Sequence, residues 1–262
     1  MSAVLEEVVD ERGIAILTLN RPQVSNALSD ELFEALAEAF TRLDRRQDIG
    51  VIVLTGRGPA FCAGGDVAQM PGNSQELTFE TRVSNLERRA AAIRIIRDSS
   101  KVTIAMVNGA AVGAGLALAL ACDFRFAGQS ARLTTGYLNI GLSGDCGAVH
   151  LLTHLVGESR AKELFLLPEM LSAAQALALG LINRCLPDES LEADTLALAA
   201  RLAAGPRVAQ RYLKMNFRNT GRELADAMRD EAVYLVRSAL SDDHSEAKAA
   251  FRERRPPRFT GT

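Results

Sequence analysis

Tryptophan is absent from the 262-residue chain, aromatic residues reach only 5%, and there are three histidines. So few aromatic rings leave little for a base-stacking platform. A formal net charge of −2 gives no basic footprint either, so no nucleic-acid partner is expected. The four cysteines, Cys62, Cys122, Cys146 and Cys185, never fall at C-x-x-C spacing, which speaks against a disulfide framework and against a zinc site. The longest apolar run, residues 109–122, is too short and too rich in glycine and alanine to cross a bilayer. The first ten residues hold acids and no base, so they do not read as a signal or transit peptide, and the cytoplasm is the default location. The phosphate loop ending in Gly-Lys-Ser/Thr is missing, as is a complete G-x-G-x-x-G. His150 and His154 stand at metal-ligand spacing, but no glutamate follows His150 and His244 is the sole further histidine, so no metal is expected. Ser143, His150 and Asp145 can be written as a triad, yet no nucleophile elbow surrounds them.

What remains is ordinary globular composition, 48% hydrophobic and 24% charged, enough for a sizeable core in one large domain or a domain with a helical appendage. Residues 4–9 and 14–19 read as strands joined by the turn Asp10-Glu11-Arg12-Gly13. Ser29 is a good N-cap for a helix to about Arg46, with Leu32, Phe33, Leu36, Phe40 and Leu43 on one face. Residues 51–55 and 102–107 are continuous β-branched runs, as expected of strands buried on both faces. Between them, residues 72–81 read as a polar mobile loop, followed by a helix over roughly 79–97. Its arginines, Arg82, Arg88, Arg89, Arg94 and Arg97, read either as a solvated face or as a patch in which one or two meet a ligand phosphate. Strand and helix signals alternate to about Leu186, and helices follow over 191–203, 206–217, 223–240 and 241–254. The pattern is α/β layering with an appended helical segment.

Two segments stand out. Phe61-Cys62-Ala63-Gly64-Gly65-Asp66 follows the first buried strand, and Asn108-Gly109-Ala110-Ala111-Val112-Gly113-Ala114-Gly115 follows the second. Each reads as a strand-to-helix turn of small residues, which either permits tight packing or brings a ligand close to the backbone. Amides in the first turn of a helix lack partners and carry partial positive charge. Two such turns on neighbouring strands can aim two N–H groups at one oxygen, an oxyanion hole.

These turns, with Arg21-Pro22, Asn26-Ala27-Leu28, Ala119-Leu120-Ala121-Cys122-Asp123, Leu155-Val156-Gly157, Ala161-Lys162-Glu163-Leu164, residues 176–182 and Phe251-Arg252-Glu253-Arg254-Arg255, resemble the crotonase superfamily, the enoyl-CoA hydratase/isomerase family, over nearly the whole chain. The resemblance implies a crotonase-like spiral of ββα units over residues 1–195 and a C-terminal helical trimerisation region over 196–262. It implies a homotrimer or homohexamer acting on an acyl-CoA thioester, with coenzyme A part of the substrate and no separate cofactor. The oxyanion donors would be the amides of Gly65 and Ala114. Asn26, Ala27 and Leu28, with Ala63, Gly64, Asp66 and Val67, would hold the coenzyme A end. Gly113 and Leu142 would border the acyl group. Phe251 and Arg254 would help close the site, on their own or a neighbouring subunit.

The sequence departs from the hydratases of that family at two places. Where they carry two glutamates, this chain has Ala117 and Tyr137. One acid remains near the expected place, Asp145, between glycines just before a predicted helix. It reads either as an N-cap or as the single general base/acid that double-bond isomerisation requires. Isomerases of the family resemble this arrangement, as does an aryl dehalogenase with a nucleophilic aspartate and an aromatic residue eight positions earlier, where Tyr137 stands. The dehalogenase reading is weakened by the scarcity of aromatic residues. Tyr137 would contact the substrate, orient Asp145 or simply pack. Isomerisation is the leading expectation, hydration the alternative, and a silent acyl-CoA-binding protein the alternative from another class.

Overall fold

The computed structural model describes residues 3–66, 77–218 and 221–262. Val67 and residues 72–76 of the expected loop lie outside the described residues.

Strands β1 (Leu5–Val9) and β2 (Ile14–Leu19) form the antiparallel hairpin expected from the Asp10–Gly13 turn. Helix α1 (Asp30–Arg45) follows. The Ser29 hydroxyl accepts the Leu32 amide at 3.3 Å, acids occupy the first turn, and Arg42 and Arg45 occupy the last. Cap and charges thus agree with the helix dipole. Its expected apolar face, Leu32, Phe33, Leu36, Phe40 and Leu43, is buried. Strands β3 (Val51–Gly56) and β5 (Val102–Val107) are buried at every position, as expected of largely apolar strands, with Thr55 and Thr103 buried as well.

Both glycine-rich turns differ from the direct strand-to-helix passage expected. A three-residue strand follows each long strand, β4 (Ala60–Cys62) after β3 and β6 (Ala110–Val112) after β5. These short strands turn out of the first sheet and pair with each other in parallel, Cys62 opposite Ala111. Helices α2 (Phe79–Asp98) and α3 (Ala114–Ala121) come next in their respective units. The third repetition is β7 (Phe124–Gly128) and β8 (Arg132–Thr134), then α4 (Ala148–Val156) and α5 (Glu158–Leu166). Strand β9 (Leu171–Ser172), α6 (Ala173–Ala178) and β10 (Arg184–Leu186) complete the layers.

Among the described residues, one sheet has the order β1-β2-β3-β5-β7-β10 and the other β4-β6-β8-β9. The main core lies where α1, α3 and the small sheet meet the large sheet, and includes Leu17, Phe40, Leu54 and Phe61. A second core lies between the opposite face, with Val53, Ile104 and Phe126, and α7 (Leu191–Ala203). Helix α7 runs across the expected division at 195/196, and its buried face closes the large sheet. Helices α8 (Arg207–Arg218), α9 (Leu224–Ala239) and α10 (Asp242–Glu253) follow. Among the described residues, no helix is long and apolar enough to cross a membrane.

Candidate active site

The first turn is held by side chains that come from before α1. Ser25 and Asn26 both adopt left-handed backbone conformations, φ 52° and 57°, which asparagine tolerates better than most residues. The Asn26 side chain is fully buried. Its Oδ1 accepts the Arg21 amide at 2.9 Å, and its Nδ2 donates to the carbonyls of Arg57 and Ala60 at 3.0 and 2.8 Å. Asn26 therefore ties the segment before α1 to the β3–β4 turn. The Arg21 guanidinium donates to the Ala27 carbonyl and pairs with Asp66 at 2.9 Å. Ala27 and Leu28 are buried beside them. The Ala63 amide donates to the Ser25 carbonyl at 3.0 Å, which binds the start of Ala63–Asp66 to the same segment.

Leu28 and Gly65 form a parallel bridge. Leu28 makes both of its bonds, its amide donating to the Gly64 carbonyl at 2.7 Å and its carbonyl accepting the Asp66 amide at 3.2 Å. That alternation leaves out the groups of Gly65 itself. Among the described residues, no backbone hydrogen bond takes the Gly65 amide.

The second turn is fixed by backbone. Gly113 is the N-cap of α3 at φ 54° and ψ −120°, a conformation that a residue with a Cβ strongly disfavours. The first intrahelical bond runs from the Ala117 amide to the Gly113 carbonyl at 3.0 Å, so the Ala114 amide has no acceptor within the helix. A Cβ on Gly64 would stand 2.7 Å from the Val112 carbonyl oxygen and 3.6 Å from the Ala114 nitrogen. A Cβ on Gly115 would stand 2.2 Å from the Cys62 carbonyl oxygen. The two turns are thus in backbone contact. Asn108 strengthens the junction, accepting the Gly56 amide at 3.1 Å and donating to the carbonyls of Gly56 and Gly58 at 2.8 and 2.9 Å.

The third component is the 137–147 segment. Residues Tyr137–Ile140 form a 3-10 turn between left-handed Gly136 and Gly141. This brings the buried Tyr137 ring against Gly113, 3.7 Å from where its Cβ would be. Beneath it, Phe165 of α5 stacks at 6.1 Å with an interplanar angle of 15°. The phenol donates to Asp145 Oδ1 at 2.9 Å. Burial pushes the phenol pKa far above its usual value, and the adjacent Asp145 carboxylate adds to the shift, so the phenol keeps its proton and donates.

Asp145 does not cap α4. The N-cap is Gly147 at φ 69°, with no side-chain bond, and only the backbone carbonyl of Asp145 accepts the Ala148 amide. The carboxylate is exposed in the single chain and opens onto a depression of about 510 Å³ between Gly144 and His154. Cys146, buried and left-handed at φ 54°, lies beside it, and burial and the carboxylate both push its thiol pKa up. Ala117 is fully buried in α3, whereas Leu142 is 43% exposed.

The structure therefore brings Gly65, Ala114, Tyr137 and Asp145 into one chain of contacts, running through Gly64 and Gly113. Phe251 is 86% exposed, and no described hydrogen bond or ion pair joins it or Arg254 to these turns. Sequence reasoning passed over Phe165 and, while singling out Arg89, gave it no partner in the fold. Phe165 follows directly on the Ala161–Leu164 segment of α5, and nothing in that segment marks it as a partner of Tyr137. Arg89 pairs with Asp30 at the start of α1, and its pKa is raised first by that bond and also by Asp145 and Cys146 nearby.

Comparison with known proteins accords with this geometry. The model of the family described as Enoyl-CoA hydratase/isomerase matches residues 10–262. The 1,2-epoxyphenylacetyl-CoA isomerase of Escherichia coli (strain K12) is 35% identical over 258 residues, covering 96% of each chain. The 4-chlorobenzoyl coenzyme A dehalogenase-1 of Arthrobacter sp is 31% identical over 244 residues, covering 92% of this chain and 88% of its own. The crystal structure of an enoyl-CoA hydratase from Bacillus anthracis superposes with a TM-score of 0.93 at 28% identity, over 99% of this chain and 100% of that one. Sequence over nearly full length and fold agree, and the chain belongs to the enoyl-CoA hydratase/isomerase family.

Proposed function

We propose that the protein isomerises an unsaturated acyl-CoA thioester, moving a double bond through an enolate. The single observation that carries this reading is the hydrogen bond from Tyr137 to Asp145, beside a turn whose Ala114 amide has no intrahelical acceptor. The thioester oxygen would accept the amides of Gly65 and Ala114, each such donor contributing ~3 kcal/mol to a transition state in which that oxygen gains charge. The carbon next to the carbonyl, or the one conjugated to it, then becomes acidic. Asp145 removes the proton and returns it at the other end of the delocalised system. Tyr137 fixes the rotamer of the carboxylate. With Ala117 and Tyr137 in place of the family's paired glutamates, one carboxylate suits one mobile proton better than the delivery of water. One relative is named an isomerase, of 1,2-epoxyphenylacetyl-CoA, so isomerisation of an acyl-CoA is among the activities named for similar proteins.

Asn26, Ala27, Leu28, Ala63, Gly64, Asp66 and Val67 are proposed to line the coenzyme A end, with Asn26 acting through the backbone it holds rather than through its committed amide. Gly113 and Leu142 border the acyl group. Assembly as a trimer, or a pair of trimers, is supported by the exposed apolar side chains of α8 and α9, and a neighbouring copy would bring Phe251 and Arg254 to the site.

Proton NMR in deuterated water, with a 3-enoyl-CoA and the matching 2-enoyl-CoA, tests the reaction. Wild type is expected to shift the double bond faster than it forms a 3-hydroxyacyl product. Asp145→Asn keeps the size and is expected to lose ~100-fold or more. A wild-type enzyme making mainly the hydroxyacyl product, with Asp145→Asn equally active, would overturn both the isomerase reading and the role of Asp145.

A further inference from the structure

Helix α8 crosses the ends of α2, α3 and α4 and leaves a cavity of about 520 Å³ beneath it. Neither turn, nor Tyr137 or Asp145, lines this cavity. Among the described residues four cations do, Arg97, Arg125, Lys214 and Arg218, with Asp123 as the one lining carboxylate.

Arg125 is 4% exposed, and its bonds go to neutral acceptors, the carbonyls of Leu181 and Cys122, both at 2.7 Å. Arg97 has no hydrogen bond and no carboxylate within 4.0 Å among the described residues. Lys214 takes up Asp123. Arg218 donates through Nη2 to the carbonyls of Asp98 and Ser99, while its Nε is buried with no hydrogen-bond partner and the Asp98 carboxylate stands 3.9 Å away. Burial pulls the Arg125 pKa down, and the charge of Arg97 adds to that; burial does the same to Lys214, with Arg218 adding. These cations repel one another. With Asp123 given to Lys214, and Asp98 shared between Arg94 and Arg218, at least two of the four lining cations, Arg97 and Arg125, have no carboxylate of their own among the described residues. Buried charge without a counter-ion is costly.

We propose that this cavity is a binding site for a phosphate-sized dianion, held by Arg97, Arg125 and the buried Nε of Arg218. A dianion matches the surplus charge, and guanidinium groups suit phosphoryl oxygens because their N–H donors form a planar fork. The phosphoryl group belongs either to free phosphate or to a small monoester whose apolar body lies along Leu120 and Leu151. The bound anion joins α2, β7 and α8, so it stabilises the docking of α8. Of the five arginines singled out on α2, Arg97 is the one among the residues that line this cavity, while Arg89 and Arg94 pair with Asp30 and Asp98.

Calorimetric titration and thermal unfolding of the full chain test this, using inorganic phosphate, butyl phosphate, and chloride at matched ionic strength. Saturable phosphate binding is expected, with Tm raised by ~5 °C at about 100 times Kd. Tighter binding of butyl phosphate identifies a monoester as the ligand, and equal binding identifies free phosphate. Arg97→Gln is expected to weaken binding at least ~10-fold without lowering Tm in the absence of phosphate. Arg97→Glu supplies an internal counter-charge, so it is expected to raise that Tm and abolish the phosphate response. A response no greater than that to chloride, or one that survives in both variants, overturns the proposal.

Discussion

The second glycine-rich turn and helices α8 and α9 are held by opposite means. At the turn, backbone meets backbone, and a Cβ on Gly115 would lie 2.2 Å from the Cys62 carbonyl oxygen. No side chain of α8 or α9 is fully buried, and Leu224, Leu235 and Leu240 are 74%, 71% and 81% exposed. What positions the turn is therefore present within one chain. The apolar surface of the helices is the kind that associates with other surfaces. A change at the turn should act on folding itself, and a change on α9 should act on assembly.

The largest effect is expected for Gly115→Ala. The methyl group meets a carbonyl that cannot move without opening the β4–β6 pairing, so ~3 kcal/mol or more of stability should be lost, with activity, in a denaturant melt. Asn26→Ala tests the side-chain version of the same constraint. It strands the Arg21 amide and the Arg57 and Ala60 carbonyls, for an expected loss of ~2 kcal/mol, and KM should rise as the Leu28–Gly65 bridge loosens. A stability loss in Asn26→Ala larger than in Gly115→Ala would reverse the ranking.

Leu235→Lys places a charge on the exposed face of α9. Light scattering should report a lower mass than wild type, while unfolding of the dissociated chain stays within ~0.5 kcal/mol. Equal masses would remove the contrast between the two regions. The smallest effect belongs to Glu246, which binds Arg255 and the Arg258 amide. The Arg255 bonds hold its carboxyl down at about 2 from an ordinary value of 4.5. The stabilisation is present above the ordinary value and disappears as pH falls toward 2. Glu246→Gln should lower Tm slightly near neutral pH and not at all at the acid end, when melts are compared across that range.

What the sequence made legible follows the range of each interaction. Helix α1 could be read because its Ser29 cap, charged ends and apolar period all lie within 17 residues of one another, residues 29–45. Strands β3 and β5 were legible from runs rich in β-branched and apolar residues. Strands β4 and β6 did not, because three residues carry no period and Cys62 finds its partner only at Ala111. At the site, the pairing of Tyr137 with Asp145 was open to a reader of spacing, but the N-cap alternative was not excluded until Gly147 was seen to take that place. Phe165, stacked on Tyr137, lies beyond any local pattern.

The bond from Tyr137 to Asp145 also bears on stereochemistry. With Oδ1 engaged by a phenol that does not give up its proton, Oδ2 would be the oxygen that exchanges with substrate in the proposed reaction. In the proposed reaction one oxygen on one side of the enolate plane would both collect and deliver, so the transfer is expected to be suprafacial, with a deuterium taken from one carbon arriving at the other on the same face.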